Sequence, residues 1–465
     1  MKIDQYIQGD FVSSSSTFTK LNPFTNEVLA TVSNASPMDL VKALQAAQKA
    51  GADWKATSLT DRLHWLQKIK SAYINHKESI VNSESLDQGL SAIFTEKSNY
   101  RVGFKIIDRY IEELSHHIES APLNIQYSAV GVVGVLLSWN LANRLFIERA
   151  LAAVLAGNTV IVKCSSMAPS TAVIWTKILS EIQFPAGVIQ FVHGQDQSFK
   201  DLLITHPSIK ALSVTSSLKN GSDILKKVST VSHNQFKKIQ ISTGGKNPAI
   251  VLSEPTAELA SEVFDSFMFG QGQLAWNSSR LFILEKHAVM WNDLLQNYLD
   301  QLSPLMDIQQ NSAWSPVLKQ TSKDHFHQIQ QLAKADQAKL IFSKKNQTLP
   351  VNFLTPTFTK DMSNCSTLQQ DQVLAPLFII SEVKYPFDIP KYSNVSYYGM
   401  AASLWSDPQK ANKVIEGLDV GQVSLNRWFI DSEVQLKAVK QSSFGQQDYR
   451  IFGDFFSNAK TLSKS

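Results

Sequence analysis

Cysteine is nearly absent from this chain: 465 residues carry two, Cys164 and Cys365. Two thiols build neither a disulfide framework nor a cysteine-ligated zinc site, and the count fits a reducing compartment. No window reaches the roughly 20 uninterrupted apolar residues that a membrane helix needs. The start, Met1-Lys2-Ile3-Asp4-Gln5-Tyr6, lacks the apolar centre of a signal peptide. The expectation is a cytoplasmic protein without a membrane partner. The excess of one sign of charge is small too: the formal net charge of +4 is spread without a basic block, which argues against nucleic acid. There is no Gly-x-Gly-x-x-Gly fingerprint, so a standard dinucleotide-binding turn is not indicated. Repeats, coiled-coil heptads and low-complexity linkers are missing as well.

What is there reads as a globular protein of two or three domains. Residues 6–32 alternate apolar and polar around Gly9-Asp10 and Asn22-Pro23, the pattern of short hairpins. Ser36-Pro37 with Asp39 opens a helix whose apolar spacing runs to Gly51, Thr60-Asp61 opens a second, and a third reaches Gln88-Gly89. Beyond Ala129 the period changes. Strand-like runs at Val130–Leu137, Thr159–Lys163, Val188–Val192, Ala211–Thr215 and Lys238–Ser242 alternate with helical runs near 142–156, 169–182, 198–205 and 219–232. That alternation predicts a doubly wound parallel sheet with its ligand crevice at the strand C-terminal ends. A second series follows over 249–425, with strands at Ala249–Leu252, Arg280–Leu284 and Leu377–Val383 and helices near 256–272 and 288–302. Asp324-His325-Phe326-His327 falls on a polar helical stretch and reads as a solvated face, so no metal site is expected.

Several segments carry more than periodicity. Gly131-Val132-Val133-Gly134 precedes Trp139-Asn140, and Gly157-Asn158-Thr159-Val160-Ile161-Val162-Lys163 follows sixteen residues later. Phe184-Pro185-Ala186-Gly187-Val188, Thr243-Gly244-Gly245-Lys246-Asn247-Pro248 and Tyr398-Gly399-Met400-Ala401-Ala402 come further on. Together with Phe269–Arg280 they make the chain similar, nearly end to end, to the aldehyde dehydrogenase superfamily. The resemblance implies an α/β fold of two doubly wound domains plus a small β oligomerisation unit. It assigns 1–111 and 130–240 to cofactor binding, 241–427 to a catalytic-type domain, and 112–129 with 428–465 to the oligomerisation unit. It further implies a homodimer or homotetramer, one that can include an active paralogue.

In that family a cysteine thiolate attacks an aldehyde, amide donors hold the oxyanion, and hydride leaves to a nicotinamide. Laid on the family's Gly-Gln-x-Cys-x-x-x-(Ser)-Arg, this chain matches at Gly272, Gln273, Ser279 and Arg280, but the nucleophile position is Ala275. The general-base glutamate falls on Ser242, whose hydroxyl has no useful pKa near neutrality. The ribose-binding glutamate falls on Gln372. Asn140 matches the oxyanion amide and Trp139 stands beside it. On the nucleotide side Lys163 matches the adenosine contact, and Ser166 replaces a glutamate and leaves room for a 2′-phosphate. Ser217 and Gly221 match the phosphate segment, while Thr243 opens the glycine-rich turn. The C-terminal motif keeps Lys440, Ser442 and Gly445 within Gln435–Gln447. Cys164, beside Lys163, reads as a buried thiol. The reading is a catalytically impaired family member that binds NADP or NAD weakly or not at all, takes a small-molecule ligand, and acts by binding or assembly. The alternative is an active member with altered NAD(P)-dependent or hydrolytic chemistry on an aldehyde or ester.

Overall fold

Ser36 accepts from the Asp39 amide at 3.2 Å, and the Asp39 carboxylate returns to the Ser36 amide at 2.9 Å, which closes a capping box at the head of the helix Pro37–Ala56. In the computed structural model, which describes residues 1–120, 124–231, 236–344, 348–428, 430, 437–445 and 447–463, that helix runs past Gly51. Trp54 is the reason: it is buried and donates to the Val154 carbonyl at 2.8 Å. This anchor outweighs the roughly 1 kcal/mol that an interior glycine costs. The second helix spans Leu59–Asn75 and is capped by Ser58 rather than opened at Thr60. Over 92–111 the sequence pattern has no reading, and the structure places there the helix Arg101–Ser120, with Val102, Ile106, Ile107, Tyr110 and Leu114 buried along one stripe. Position 232, Gln435, Leu436 and Gln446 lie outside the described residues.

The chain divides into two compact units. One comprises Met1–Asp87, Thr95–Ser242 and Phe444–Ser465; the other comprises Gln88–Phe94 and Thr243–Ser443. In the first, the strands lie in the order Lys238–Ser242, Ile209–Thr215, Val132–Leu136, Thr159–Lys163 and Ile189–Val192, all parallel. Gln5–Ile7 and Asp10–Val12 extend the sheet antiparallel, the hairpin that Gly9-Asp10 predicts. The chain enters at Val132–Leu136, winds to one side, then returns to the other at Ile209–Thr215. The order therefore reverses between those two strands, where ligands bind in such folds. Leu40, Leu44, Phe199, Leu212 and Val214 belong to the core under one face. Ile125–Ala129 pairs antiparallel with the tail strand Ser457–Thr461 as a separate ribbon.

The second unit repeats the plan. Its strands run in the order Lys339–Ile341, Thr357–Lys360, Leu377–Val383, Ser278–Leu284, Asn247–Val251, Ala402–Trp405 and Val423–Leu425, antiparallel only at the first pair. Phe264, Phe267, Trp291, Phe358 and Phe378 fill the core on one side of this sheet. They meet edge-on or tilted, as at Phe264 and Trp291, 5.7 Å apart and 87° between planes, the arrangement that ring quadrupoles favour. This is an α/β architecture of two doubly wound sheets.

Candidate functional site

A cavity of about 550 Å³ opens in the first unit at the point where the strand order reverses. Leu136 and Leu137 line it from the end of one strand, Val214 and Thr215 from the end of its neighbour, and Lys163 from the end of the next. The helices Gln197–Thr205 and Leu218–Val231 supply Lys200, Lys226, Lys227 and Asp223.

The Gly157–Lys163 motif that leads to this cavity is mostly structural. Gly157 sits at φ +93°, and a Cβ there would lie 2.8 Å from the Arg62 guanidinium, which caps the carbonyls of Lys55, Thr57 and Leu155. Asn158 accepts from the Val130 and Gly131 amides at 2.8 and 2.9 Å and donates to the Ala153 and Phe456 carbonyls. Thr159 donates to Ala47. Only Lys163 faces the cavity. Burial, and then the nearby Lys200 charge, push its ammonium down to about 8. Cys164 is buried, and burial pushes its thiol up to about 12 despite Lys163. Desolvation therefore outweighs the neighbouring cation, as expected of an inert thiol.

Not every nucleotide-side residue converges here. Ser166 is half-buried in the turn after the strand and is not among the residues lining the cavity. Ser217 precedes the helix Leu218–Val231; its hydroxyl accepts from the Asn220 amide at 3.4 Å and its carbonyl from the Gly221 amide at 2.9 Å. Lys200, Lys226 and Lys227 escape a reading of the sequence, because lysines on amphipathic helices look like solvated charges. Their place at the C-terminal side of a doubly wound sheet is the signal.

Asn140 is buried and Trp139 half-buried, just past the strand Val132–Leu136. The next residue, Leu141, sits at φ +50°, a left-handed conformation that costs a non-glycine residue about 1 kcal/mol or more. Beyond it, a π-helical turn over Ile147–Leu151 interrupts the helical stretch 142–155 and carries Arg149. Such turns re-aim side chains. Arg149 is 2% exposed; it donates to the Ser213 hydroxyl at 3.2 Å, the Val214 carbonyl at 3.3 Å and the Ser242 hydroxyl at 2.7 Å. Gln447 also donates to Ser242 at 2.7 Å, and the Tyr449 phenol lies 3.1 Å from it, with its ring 4.8 Å from the Arg149 guanidinium. Burial pushes the Tyr449 phenol up, and Arg149 offsets part of that. Ser242 thus has Arg149, Gln447 and Tyr449 as side-chain partners, of which Arg149 is the cation, and the buried Arg149 Nε has no hydrogen-bond partner. Sequence reasoning misses Arg149 and Tyr449, since neither lies in a recognisable motif.

In the second unit, Ala275 is half-buried after a turn at Gly270, Gln271 and Gly272 with φ of +67°, +54° and +69°. A Cβ at Gly272 would stand 2.6 Å from the Ala375 carbonyl. Asn277 clamps this loop: it donates to the carbonyls of Ser266, Phe267 and Phe269 and accepts from the Leu274 amide at 2.8 Å. Asn247 holds the Ala275 and Asn277 carbonyls at 2.9 and 2.8 Å. Gln273 donates to Gly270 and Pro316, and buried Arg280 donates to the Lys246 carbonyl at 2.8 Å. Phe94 stacks on Phe269 at 4.2 Å, and Trp428 donates to the Trp276 carbonyl. Thr243 donates to the Gln441 carbonyl, and Gln372 packs on Gly244, where a Cβ would collide with its amide. Among the described residues no cluster of histidine, cysteine or carboxylate side chains suits a metal ion, and no helix is long and apolar enough to cross a membrane.

Comparison with known proteins agrees with this architecture. A sequence model described as the aldehyde dehydrogenase family matches residues 11–462. A putative aldehyde dehydrogenase of Staphylococcus saprophyticus is 26% identical over 462 residues, covering 96% of each chain. The 2-aminomuconic semialdehyde dehydrogenase of Danio rerio is 26% identical over 483 aligned positions, covering 99% of this chain and 98% of its own. The solved structure of an aldehyde dehydrogenase from Bacillus cereus in complex with NAD+ superimposes with a TM-score of 0.89 at 22% identity, covering 99% of this chain and 96% of that one. At that identity the likeness speaks for the fold alone.

Proposed function

This chain belongs to the aldehyde dehydrogenase family, and we propose that within it the protein keeps a nicotinamide-nucleotide groove while lacking the thiol and carboxylate of aldehyde oxidation, so that it acts by binding or assembly. The observation that carries this reading is Ser242. At the position the resemblance gives to the general base, a hydroxyl is fixed by Arg149, Gln447 and Tyr449, and none of these three partners is a carboxylate. With Ala275 at the nucleophile position, two functional groups of the reaction are missing together. The surroundings have closed around serine, as expected of a settled loss rather than a single recent substitution.

The cavity supports the other half. Its apolar walls at the strand ends suit an adenine, and Lys163, Lys200 and Lys226 suit phosphate. A bound nicotinamide would supply a hydride acceptor; this chain's own residues would bind and orient it. Association into dimers or tetramers, which the resemblance implies for the segments around the Ile125–Ala129 and Ser457–Thr461 ribbon, belongs to the same proposal and is checked by light scattering.

A thermal titration tests the reading. Binding to the native state alone raises the melting point, by an amount equivalent to about 2.7 kcal/mol at a hundredfold excess over Kd. The expected result is a clear upward shift with NAD(P), lost in Lys163→Met, and no aldehyde oxidation by the unmodified protein. Steady turnover of an aldehyde at ordinary dehydrogenase rates would overturn it.

The pH dependence has a defined sign. An anion favours charged Lys163, whose ammonium titrates at about 8 in the free protein. Affinity is therefore full below pH 8 and falls as pH rises through 8, by up to about tenfold per pH unit for one proton. Cys164, at about 12, and His193, pushed down to about 3 by burial, stay neutral across that window, and Lys200 and Asp223 face the same cavity. Calorimetric Kd values at pH 7 and 9 check it; equal values would remove Lys163 from the contact.

A further inference from the structure

Arg149 is a buried cation set among neutral groups. Among the described residues its side chain meets Ser213, Val214, Ser242 and the Tyr449 ring and no carboxylate, and the adjacent Glu148 is taken by Arg144 at 2.9 Å. Nη1 donates to the Ser213 hydroxyl and the Val214 carbonyl, Nη2 donates to the Ser242 hydroxyl, and Nε has no partner. Nε and Nη2 form the edge of a guanidinium that a carboxylate grips with two parallel bonds. Here that edge meets one uncharged oxygen.

The hydroxyls beside it are also short of acceptors. A hydroxyl has one proton to donate and two lone pairs. Ser242 receives Arg149 Nη2 and Gln447 Nε2, each at 2.7 Å, so its lone pairs are filled and its own proton goes to the Tyr449 phenol at 3.1 Å. The Tyr449 proton is then left without an acceptor among the described residues. Thr215 pairs with Ser242 across adjacent parallel strands, which puts its side chain on the same face about 4.8 Å away. Its buried hydroxyl has no partner either. Ser213 and Gln240, joined at 2.9 Å, stand one step back on this face. Leu212, Val214 and Ile241 belong to the core on the opposite face, with Phe199 and Ile224 of the helices that flank the cavity. The Arg149 edge is therefore separate from the nucleotide groove. Thr215 and Ser242 are half-buried, so the site opens at the strand ends.

We infer that Arg149 anchors a second small-molecule site, one that takes a carboxylate. The ligand's oxygens accept from Nε and from the remaining Nη2 proton, and the Tyr449 and Thr215 hydroxyls supply further donors. Where the resemblance puts an anionic base, this chain presents a cation, so the site suits an acid rather than an aldehyde. No bond is made or broken in it. The inference rests on the reading of Ser242 as a position without base function, and it goes further by naming the ligand's charge and the residue that holds it.

The experiment is saturation-transfer NMR of the full chain at pH 7 with butyrate and its uncharged counterpart, butyramide. It is run on the unmodified protein, Tyr449→Phe, Arg149→Met and Ser242→Glu, and a melting curve shows that each is folded. The expected result is that butyrate binds and butyramide binds at least about tenfold more weakly, the size of one charge-assisted contact. Tyr449→Phe keeps the ring over Arg149 and removes one donor, and should weaken butyrate by about threefold or more. Arg149→Met should abolish the signal. Ser242→Glu should abolish it too, because a carboxylate of the chain then occupies the same edge. Equal binding of butyrate and butyramide, or undiminished butyrate binding in Ser242→Glu, overturns the inference. Silence with butyrate at millimolar concentration also overturns it, and leaves the nucleotide titration standing. Aldehyde turnover by the unmodified protein overturns instead the reading of Ser242 beneath it. If Arg149→Met does not fold, Tyr449→Phe and Ser242→Glu decide the matter.

Discussion

Replacing Ala275 by cysteine is expected to give a burst without turnover. With an activated ester such as p-nitrophenyl acetate, the new thiolate forms a thioester, and about one equivalent of nitrophenolate per chain is released. On the reading proposed above the reaction then stalls, because the position that the resemblance gives to the general base carries a hydroxyl engaged by Arg149, Gln447 and Tyr449. Adding Ser242→Glu puts a carboxylate at that position. General-base catalysis contributes about 10²- to 10⁴-fold, and the lower end is expected here. Arg149 donates to position 242 at 2.7 Å, so it would hold a carboxylate there ionised and lower its basicity. Stopped-flow absorbance reads both phases. If Ala275→Cys alone turns over as fast as the double variant, the assignment of Ser242 to the base position is overturned. If no burst occurs, the loop does not present residue 275 to a substrate.

The second large effect is structural. Asn277→Ala should destabilise the second unit by about 3 kcal/mol, read as a fall in the urea midpoint. The amide side chain meets three carbonyls and one amide at 2.8–3.2 Å in a buried setting, and alanine leaves all four without that partner. It also releases a turn whose three successive positive φ angles persist only because their surroundings over-determine them. A loss below about 1 kcal/mol would mean that water or relaxation replaces the clamp. In an Ala275→Cys background the same change should abolish the burst.

The two effects sort the nucleophile motif into halves. The residues this chain keeps, Gly272, Gln273, Ser279 and Arg280, are buried. Gly272 fits a turn that leaves no room for a Cβ, Gln273 braces the Gly270 and Pro316 carbonyls, and Arg280 holds the Lys246 carbonyl. The residue that departs from the motif, Ala275, is at the position the resemblance gives to the nucleophile. Folding constrains the first group whether or not chemistry occurs, since each removal orphans a buried polar group or creates a clash. Nothing in folding requires the thiol. The glycine-rich turn behaves alike: Gly244 and Gly245 make space for Gln372 and Asn247.

The amino-acid sequence by itself determined the architecture. Short runs such as Thr159–Lys163, continuously apolar at its centre, and the alternating Lys238–Ser242, separated by helical runs, predict parallel sheets, and the strands lie where that pattern puts them. Local chemistry suffices there, because apolar run length and helical spacing are set within a few residues. The same locality explains the misses. The helix from Pro37 outlasts Gly51 because Trp54 reaches a carbonyl a hundred residues away, and no neighbouring residue reports that bond. The surroundings of Ser242 come from positions 149, 447 and 449, and the cavity lysines come from a strand end and two helices that meet only when the sheet is wound. Which residues are present is written along the chain. Which charges face each other, and how far burial shifts them, depends on distances that exist only after the strands have paired.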